Sequence, residues 1–541
     1  MRILVSLAAI AQASATFSDL ENYFGGANNQ YYVNWATSVK YKSSLFLASE
    51  ADPSDGAAVH WSTSQIHVEI GVAVRASGWL GFGLSDNGGM KGSDMFIFEA
   101  RSPGTILDAY VTETLYPQVD QCQDWEFVHS ATDGEFLIVQ VRRKLITDDI
   151  AQDLPIHDDG DYVQSLQKVI AAWGNSDSFG YHGQRRARGS IRWFHLSPMM
   201  STGLENVART EATYEFSVHA ENYMIRPVET EFVHYCMSGD DIRGQGVPLD
   251  SGVSVFTYDP IYTSRYVHHM VIHGSREEMI DQSMFYDLEL LYVWAPGVAS
   301  FNFPENVGVT FGGKFGYRSI CLQIHYNNPS LTKGAVDNSG IKFQYKTTTS
   351  RHEVGVLRLG DPLLHLTGKS VGKGVRKHTF ECAPGCSASV LIDEPVTVLL
   401  EGLHMHNSGI AAYNEQFRNG QLIRTGRAEY FDFDQQGNHM VVQPPFQILP
   451  GDSFRTTCIY RSGGGSKLVF GKASSQEMCV AYMFYYPRKQ PSDTVSPWYP
   501  WTCVYDFPIP GCKAKWEGGV LMSDSAVGRT FGQSATQCLT D

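Results

Sequence analysis

The chain has 541 residues, too many for one hydrophobic core and enough for roughly three or four domains. Hydrophobic residues make up 43% and charged residues 18%, an ordinary globular balance that excludes wholesale disorder. The formal net charge is −15, and beyond the short run GQRRARG at 183–189 no Lys/Arg block occurs, so a nucleic-acid partner is excluded.

In chain order, the first element is MRILVSLAAIAQASATFSDL. Arg2 precedes a short apolar run, Ile3 to Ala11, and Ala13-Ser14-Ala15 suits signal peptidase, so 1–15 reads as a signal peptide. No later segment offers the run of about 20 apolar residues that a spanning helix needs. The mature chain is therefore expected to be secreted or to lie in a secretory-vesicle lumen. Its ten cysteines read as a disulfide frame rather than metal thiolates. Cys382 and Cys386 could open a zinc site, but no second thiolate pair follows at matching spacing. The chain has no N-x-S/T sequon, so N-glycosylation is not expected.

Strand signals dominate the remainder: IHVEIGVAVRA, GWLGFGLSD, FLIVQVRRKL, KFQYKTTT, VTVLLEGLHMH and KLVFGKA alternate or run apolar between Gly, Asn, Asp and Pro. The strongest helical stretch is DYVQSLQKVIAAW, 161–173. The fold class is all-β, with sandwiches in series. Breaks near 195–210 and 359–374 give domains over 16–200, 205–360 and 361–491. A tail rich in Pro, Trp and Cys, 492–541, is expected to wrap the others through disulfides.

The residues that carry chemistry are mostly histidines. In YVHHMVIHG, His268 and His269 are adjacent, yet successive strand side chains point to opposite faces, so the pair can serve one site only where the backbone bends. His404 and His406 in EGLHMHNSG are two apart and project from one face, able to chelate one metal, although the same spacing occurs in zinc sites and in ordinary strands. Taken alone, His325 in CLQIHYNNP reads as a strand-edge histidine and Met478 in QEMCVAYMFYYP as core. His273 could compete with its neighbours as a ligand. The chain has no G-x-S-x-G elbow and no phosphate-binding glycine loop between a strand and a helix. The pairs Asp148-Asp149 and Asp158-Asp159 read as solvated loops or a cation site. Metal chemistry is what remains.

Six motifs then occur together and in order: HHM at 268–270, QIHYNNP at 323–329, ECAPGC at 381–386, GLHMHNSG at 402–409, LPGDSFRTTCIY at 449–460 and EMCVAYMFYYP at 477–487. From about Tyr214 to Pro487 the chain resembles the copper type II ascorbate-dependent monooxygenases, in the branch that contains dopamine β-hydroxylase and its monooxygenase-like relatives. Upstream, GWLGFGLSDNGGMKGSDMFIFEA at 78–100, DAYVTE at 108–113 and DQCQDW at 120–125 resemble that branch's DOMON module.

The resemblance implies a DOMON β-sandwich followed by two jelly-roll-like sandwiches, each with one copper, facing across an open cleft. His268, His269 and His325 would hold an electron-transfer copper, and His404, His406 and Met478 an oxygen-activating one. Met478 discriminates, because a soft thioether favours Cu(I) and a zinc hydrolase has little use for it. The activity implied is hydroxylation of a C–H bond of a small organic substrate: ascorbate supplies two electrons, one atom of O2 enters the product and the other leaves as water. Tyr485 matches a tyrosine placed near substrate in the family, with core packing as the alternative. Arg358 stands where amine-hydroxylating members carry an acid, so an anionic or neutral substrate is expected, with compensation by nearby Asp361 as the alternative. Gly402 stands where the peptide-amidating branch has an arginine, which disfavours that activity.

By the same resemblance Cys458 pairs with Cys479, Cys382 and Cys386 pair with tail cysteines such as Cys503 and Cys512, and Cys122 ties to Cys538. Cys236 and Cys321 are left without family partners. Met90 and His182 occupy places comparable to the haem b ligands of related modules, though a haem-free sandwich is preferred. The alternatives are a catalytically idle copper- or ligand-binding protein and a haem electron-transfer protein. A homo-oligomer is left open.

Overall fold

The computed structural model describes residues 33–34, 39–41, 43–49, 55–112 (less 65), 116–156 (less 134, 150 and 151), 167–193 (less 192), 213–279, 289–295, 300–361 (less 349), 364, 368–428 (less 393), 430–433, 445–462, 468–489, 501–503 and 512–522. The expected signal peptide, Asp158-Asp159, the first part of the expected helix and Cys538 lie outside these residues. The chain divides into two compact units, Met1–Met199 with Thr530–Asp541, and Met200–Arg529. Among the described residues no helix is long and apolar enough to cross a membrane.

In the first unit, one sheet runs Glu126–Asp133, Phe136–Lys144, His67–Arg75, Gly56–Thr63, Ser43–Ala48, and the other Arg186–Ile191, Gln167–Gly174, Trp79–Ser85, Ser93–Glu99, Ile106–Val111, Gln118–Val119. They face each other across aromatic contacts: Phe98 of the second sheet stacks on Phe127 of the first at 6.2 Å. On the outer face of the second sheet, Met95, Ile97, Ala109 and Val111 form a further apolar cluster against Met90, Ile170 and Phe179. Strands covered on both faces lose their alternation, which is why Trp79–Ser85 is buried throughout. Gly83 is required there, because a Cβ would come within 2.4 Å of the Asp94 carbonyl oxygen.

The same double coverage corrects the expected helix. Gln167–Gly174 is a strand between Arg186–Ile191 and Trp79–Ser85. Val169, Ala171 and Trp173 are buried while Ile170 packs on the outer cluster, so both faces are apolar and the string imitates helical periodicity. Asp149, expected in a solvated loop, is also buried and accepts from the Gln152 N–H at 3.1 Å. Nearby, the buried Arg143 guanidinium pairs with Asp94 at 2.9 Å and Asp153 at 3.5 Å.

His60, buried in Gly56–Thr63, makes this unit acid-sensitive. Burial pulls its pKa down to about 3, so it stays neutral when folded but gains a proton below about 6.5 when unfolded. Its contribution to stability is present above pH 6.5 and is lost as pH falls toward 3. At about 1.4 kcal/mol per pKa unit, the loss at pH 4.5 relative to pH 7 is about 2–3 kcal/mol. Melting temperatures recorded from pH 7 to 4.5 should fall less steeply for His60→Gln than for wild type; equal slopes would remove His60 from the explanation.

The second unit holds two sandwiches. The first pairs a sheet of Tyr214–His219, Gly340–Lys346, Val253–Ile261, Val307–Phe311 and His352–Glu353 with a four-stranded sheet ordered Thr230–Met237, Ser319–Asn327, Val267–Ser275, Glu289–Trp294. The second pairs Phe446–Ile448, Val396–His404, Cys479–Tyr486, Gly355–Asp361, Trp501–Cys503 with Gln421–Ala428, Gly409–Arg418, Ser453–Ser462, Gly374–Cys382, Ala514–Leu521. The tail therefore supplies an edge strand to each sheet of one sandwich, parallel to Gly355–Asp361 and antiparallel to Gly374–Cys382.

Disulfides Cys382–Cys503 and Cys386–Cys512 fix the tail strands, and Cys458–Cys479 joins the two sheets, as the family pattern implied. The thiols of Cys382 and Cys386 are thus consumed and cannot form a zinc site. Cys236 and Cys321 bond to each other, directly opposed on neighbouring strands. Cys122 is disulfide-bonded.

Candidate metal centres

The four-stranded sheet solves the problem of the adjacent histidines. In Val267–Ser275, Val267 lies opposite Tyr326 and His269 opposite His325, with a bulge between Val267 and His269. A bulge opposes two residues to one and re-aims a side chain, so His268 joins His269 on one site. His325 comes from the neighbouring strand, with Phe232 stacked on its ring at 4.4 Å. The Nδ1 atom of His268 lies 3.0 Å from that of His269 and 3.2 Å from that of His325. Three ligand atoms all within 4.8 Å of one another could hold one metal ion. His273, four residues along, lies opposite Cys321 instead and is not part of the set.

The second set forms where Val396–His404 ends. His404 lies opposite Val480, and extending that antiparallel register sets His406 across from Met478 on the same face. The rings of His404 and His406 are 5.1 Å apart. Glu477 fixes the turn that carries them: its carboxylate accepts from the backbone N–H of His406 at 2.9 Å and of Ser408 at 2.6 Å. The Nδ1 of His406 contacts the Gln476 carbonyl at 3.1 Å, an outer contact that orients the ring.

Burial keeps four of these histidines in the ligand form. Burial first, then the neighbouring imidazoles, pull His268, His269 and His406 well below the usual histidine range, and burial brings His325 to about 3. All four are neutral at physiological pH, as a metal requires. Three imidazoles suit copper in either oxidation state, and two imidazoles with a thioether suit Cu(I), so both donor sets fit copper.

The sets adjoin rather than face across an open cleft. The rings of His269 and His404 are 5.8 Å apart, and Phe433 stacks on His268 at 3.7 Å. The reason is packing: Leu399, Leu400 and Phe484 of the second sandwich are buried in the core of the first.

Arg358 lies opposite Tyr482 in Gly355–Asp361, and Tyr482 lies opposite Gly402, two residues before His404. Arg358 and Tyr482 therefore share the face of His404. Arg358 is also close to the first sandwich, since burial and then its charge bring His273 down to about 3. Tyr485 points the other way. It is buried in the core of the second sandwich, edge-on to Trp501, its hydroxyl donating to the Lys489 carbonyl at 3.3 Å. Sequence reasoning missed Tyr482; the signal available was strand parity, since 482 is an even number of residues from 478 and 485 an odd one. It also missed Phe433 and Ser474, which lie in segments with no motif. In the first unit Met90 packs on the outer apolar cluster, and His182 stacks with Tyr181 and contacts the Gly183 carbonyl.

Two β-sandwiches, each presenting a histidine-based ligand set to the other, define the class: the chain belongs to the copper type II ascorbate-dependent monooxygenase family. Residues 216–333 match that family's N-terminal domain and 353–498 its C-terminal domain, while 54–166 match the DOMON domain. Among individual proteins, the chain is similar to DBH-like monooxygenase protein 1 of Gallus gallus, 25% identical over 470 residues, which is 80% of this chain and 72% of the relative. Tyramine beta-hydroxylase of Caenorhabditis briggsae is 24% identical over 80% of this chain and 75% of its own length, and dopamine beta-hydroxylase of Canis lupus familiaris 24% identical over 81% and 71%. The solved cytochrome b domain of pyranose dehydrogenase from Coprinopsis cinerea is 14% identical over 30% of this chain and 85% of that chain, with a TM-score of 0.23.

Proposed function

We propose that this protein is a secreted copper monooxygenase, with two coppers per chain, that uses ascorbate and O2 to hydroxylate a C–H bond of a small organic substrate. The observation that supports it is the juxtaposition of three convergent Nδ1 atoms with a second set containing the only kind of donor, a thioether, that separates this chemistry from zinc hydrolysis. When bound, copper supplies one-electron transfer at His268, His269 and His325 and dioxygen activation at His404, His406 and Met478. The protein's own groups position and protect. Glu477 and the Gln476 carbonyl hold the turn and the ring of His406, and burial of His268, His325 and His406 limits their contact with bulk water.

Substrate lies, in this proposal, along the face shared by His404, Gly402, Tyr482 and Arg358. A permanent guanidinium in that row repels an ammonium group and pairs with a carboxylate, phosphate or sulfate, so the substrate is anionic or neutral. Tyr482→Phe is expected to lower kcat/KM by about tenfold, the loss of one hydrogen bond of about 1.4 kcal/mol. Tyr485→Phe should keep kcat/KM within about twofold and lose about 1 kcal/mol of stability with its bond to Lys489. The reverse ranking would place Tyr485, not Tyr482, beside substrate. The DOMON sandwich is assigned no haem, in keeping with Met90 being packed among apolar side chains.

One observation favours an idle copper-binding protein instead: the two sets touch through Phe433, which fills space between them. Ascorbate-dependent oxygen uptake on the purified protein separates the two. Uptake that exceeds the free-copper background supports the enzyme; stoichiometric copper without uptake supports the idle protein, and zinc in place of copper overturns both.

A further inference from the structure

The three imidazoles of the first set meet through Nδ1, so Nε2 is the outward nitrogen of each. A metal held at Nδ1 makes Nε2–H a donor, and metal-bound imidazoles are oriented and made more basic by an acceptor at that position. For two of the three, the acceptor comes from the other sandwich. His268 Nε2 lies 3.4 Å from the Phe433 carbonyl oxygen, and His325 Nε2 lies 3.4 Å from Ser474 Oγ. Both histidines and Ser474 are buried. The Phe433 ring is also stacked on His268, with an interplanar angle of 15°, and meets His406 edge-on at 6.0 Å. Ser474 stands four residues before Met478, on the segment that carries the second ligand set.

We infer that Ser474 and the Phe433 carbonyl are positioning residues for the electron-transfer ligand set, so that its copper affinity and its preference for Cu(II) depend on the second sandwich being docked against it. The inference rests on His268, His269 and His325 being copper ligands. An acceptor on Nε2–H raises the electron density at Nδ1 and stabilises the more highly charged ion, Cu(II), over Cu(I). Undocking removes both acceptors together, and the set then shifts toward Cu(I). The state of the first copper is thereby coupled to the position of the second without any contact between the metals.

The test compares Ser474→Thr with Ser474→Val in the full chain, two substitutions of equal volume that differ in the hydroxyl. Copper(II) affinity is measured by competition with a chelator, together with the Cu(II) paramagnetic resonance spectrum and the reduction potential of each copper. Ser474→Val is expected to bind one of its two coppers about 10–100-fold more weakly than Ser474→Thr, with an altered Cu(II) spectrum and a raised potential at that site, while the other copper is unchanged. Equal affinities, spectra and potentials in the two variants would overturn the inference. Wild type binding fewer than two coppers would instead overturn the ligand assignment beneath it, so the two failures are distinguishable.

Discussion

Met478→Ala is expected to abolish ascorbate-supported oxygen uptake, a loss of at least about a hundredfold, while copper at His268, His269 and His325 remains. Disturbing a group that only orients a ligand costs about 10–100-fold in affinity or activity, and removing a ligand should cost at least the upper end. Met478 is half-buried just before Cys479–Tyr486, and its carbonyl, not its side chain, takes the Tyr460 hydroxyl at 2.8 Å. Truncation therefore leaves that hydrogen bond and the Glu477 clamp intact, and stability should fall little. Two imidazoles alone still bind copper, so total copper should fall by less than one per chain, with the remainder easily removed by a chelator. Uptake retained at the wild-type rate would exclude Met478 as a ligand.

His325→Ala should show the complementary defect: one copper per chain lost, ascorbate-supported uptake cut at least about a hundredfold, and the His404, His406 and Met478 set still filled. His325 is fully buried between His268, His269 and Phe232. Its removal opens a cavity as well as a coordination position, so stability should drop by about 2–4 kcal/mol. Free imidazole fits that cavity and should restore part of the copper binding, which a merely destabilised protein would not show. Full copper content in His325→Ala would mean that the three Nδ1 atoms do not share a metal.

Much of the architecture was legible because burial on one face leaves its trace in alternation. The strands predicted for the His404 segment and for GWLGFGLSD form as expected. The segment 167–174 failed for the same physical reason: with Ile170 covered on the outside and Val169, Ala171 and Trp173 on the inside, no polar face remained to mark the period. At the site, residue type was legible and geometry was not. The adjacent pair His268-His269 demanded a bend, and the bulge supplies it, but nothing local to the sequence places that bulge. The orientation of the His406 ring follows from a backbone carbonyl, that of Gln476, which no motif records. Contacts between sandwiches, such as those of Phe433 and Ser474, join residues well over a hundred positions apart. Cys236 and Cys321 were unpaired on paper because their partnership depends on strand register alone.

The most direct measurement is copper K-edge X-ray absorption on the fully reduced protein, wild type beside Met478→Ala. Wild type should show one sulfur scatterer shared over two coppers, with imidazole nitrogens as the remaining ligands, and Met478→Ala should show none. Wild-type copper without sulfur, or sulfur scattering undiminished in Met478→Ala, would contradict the assignment of a three-histidine set beside a two-histidine, one-methionine set.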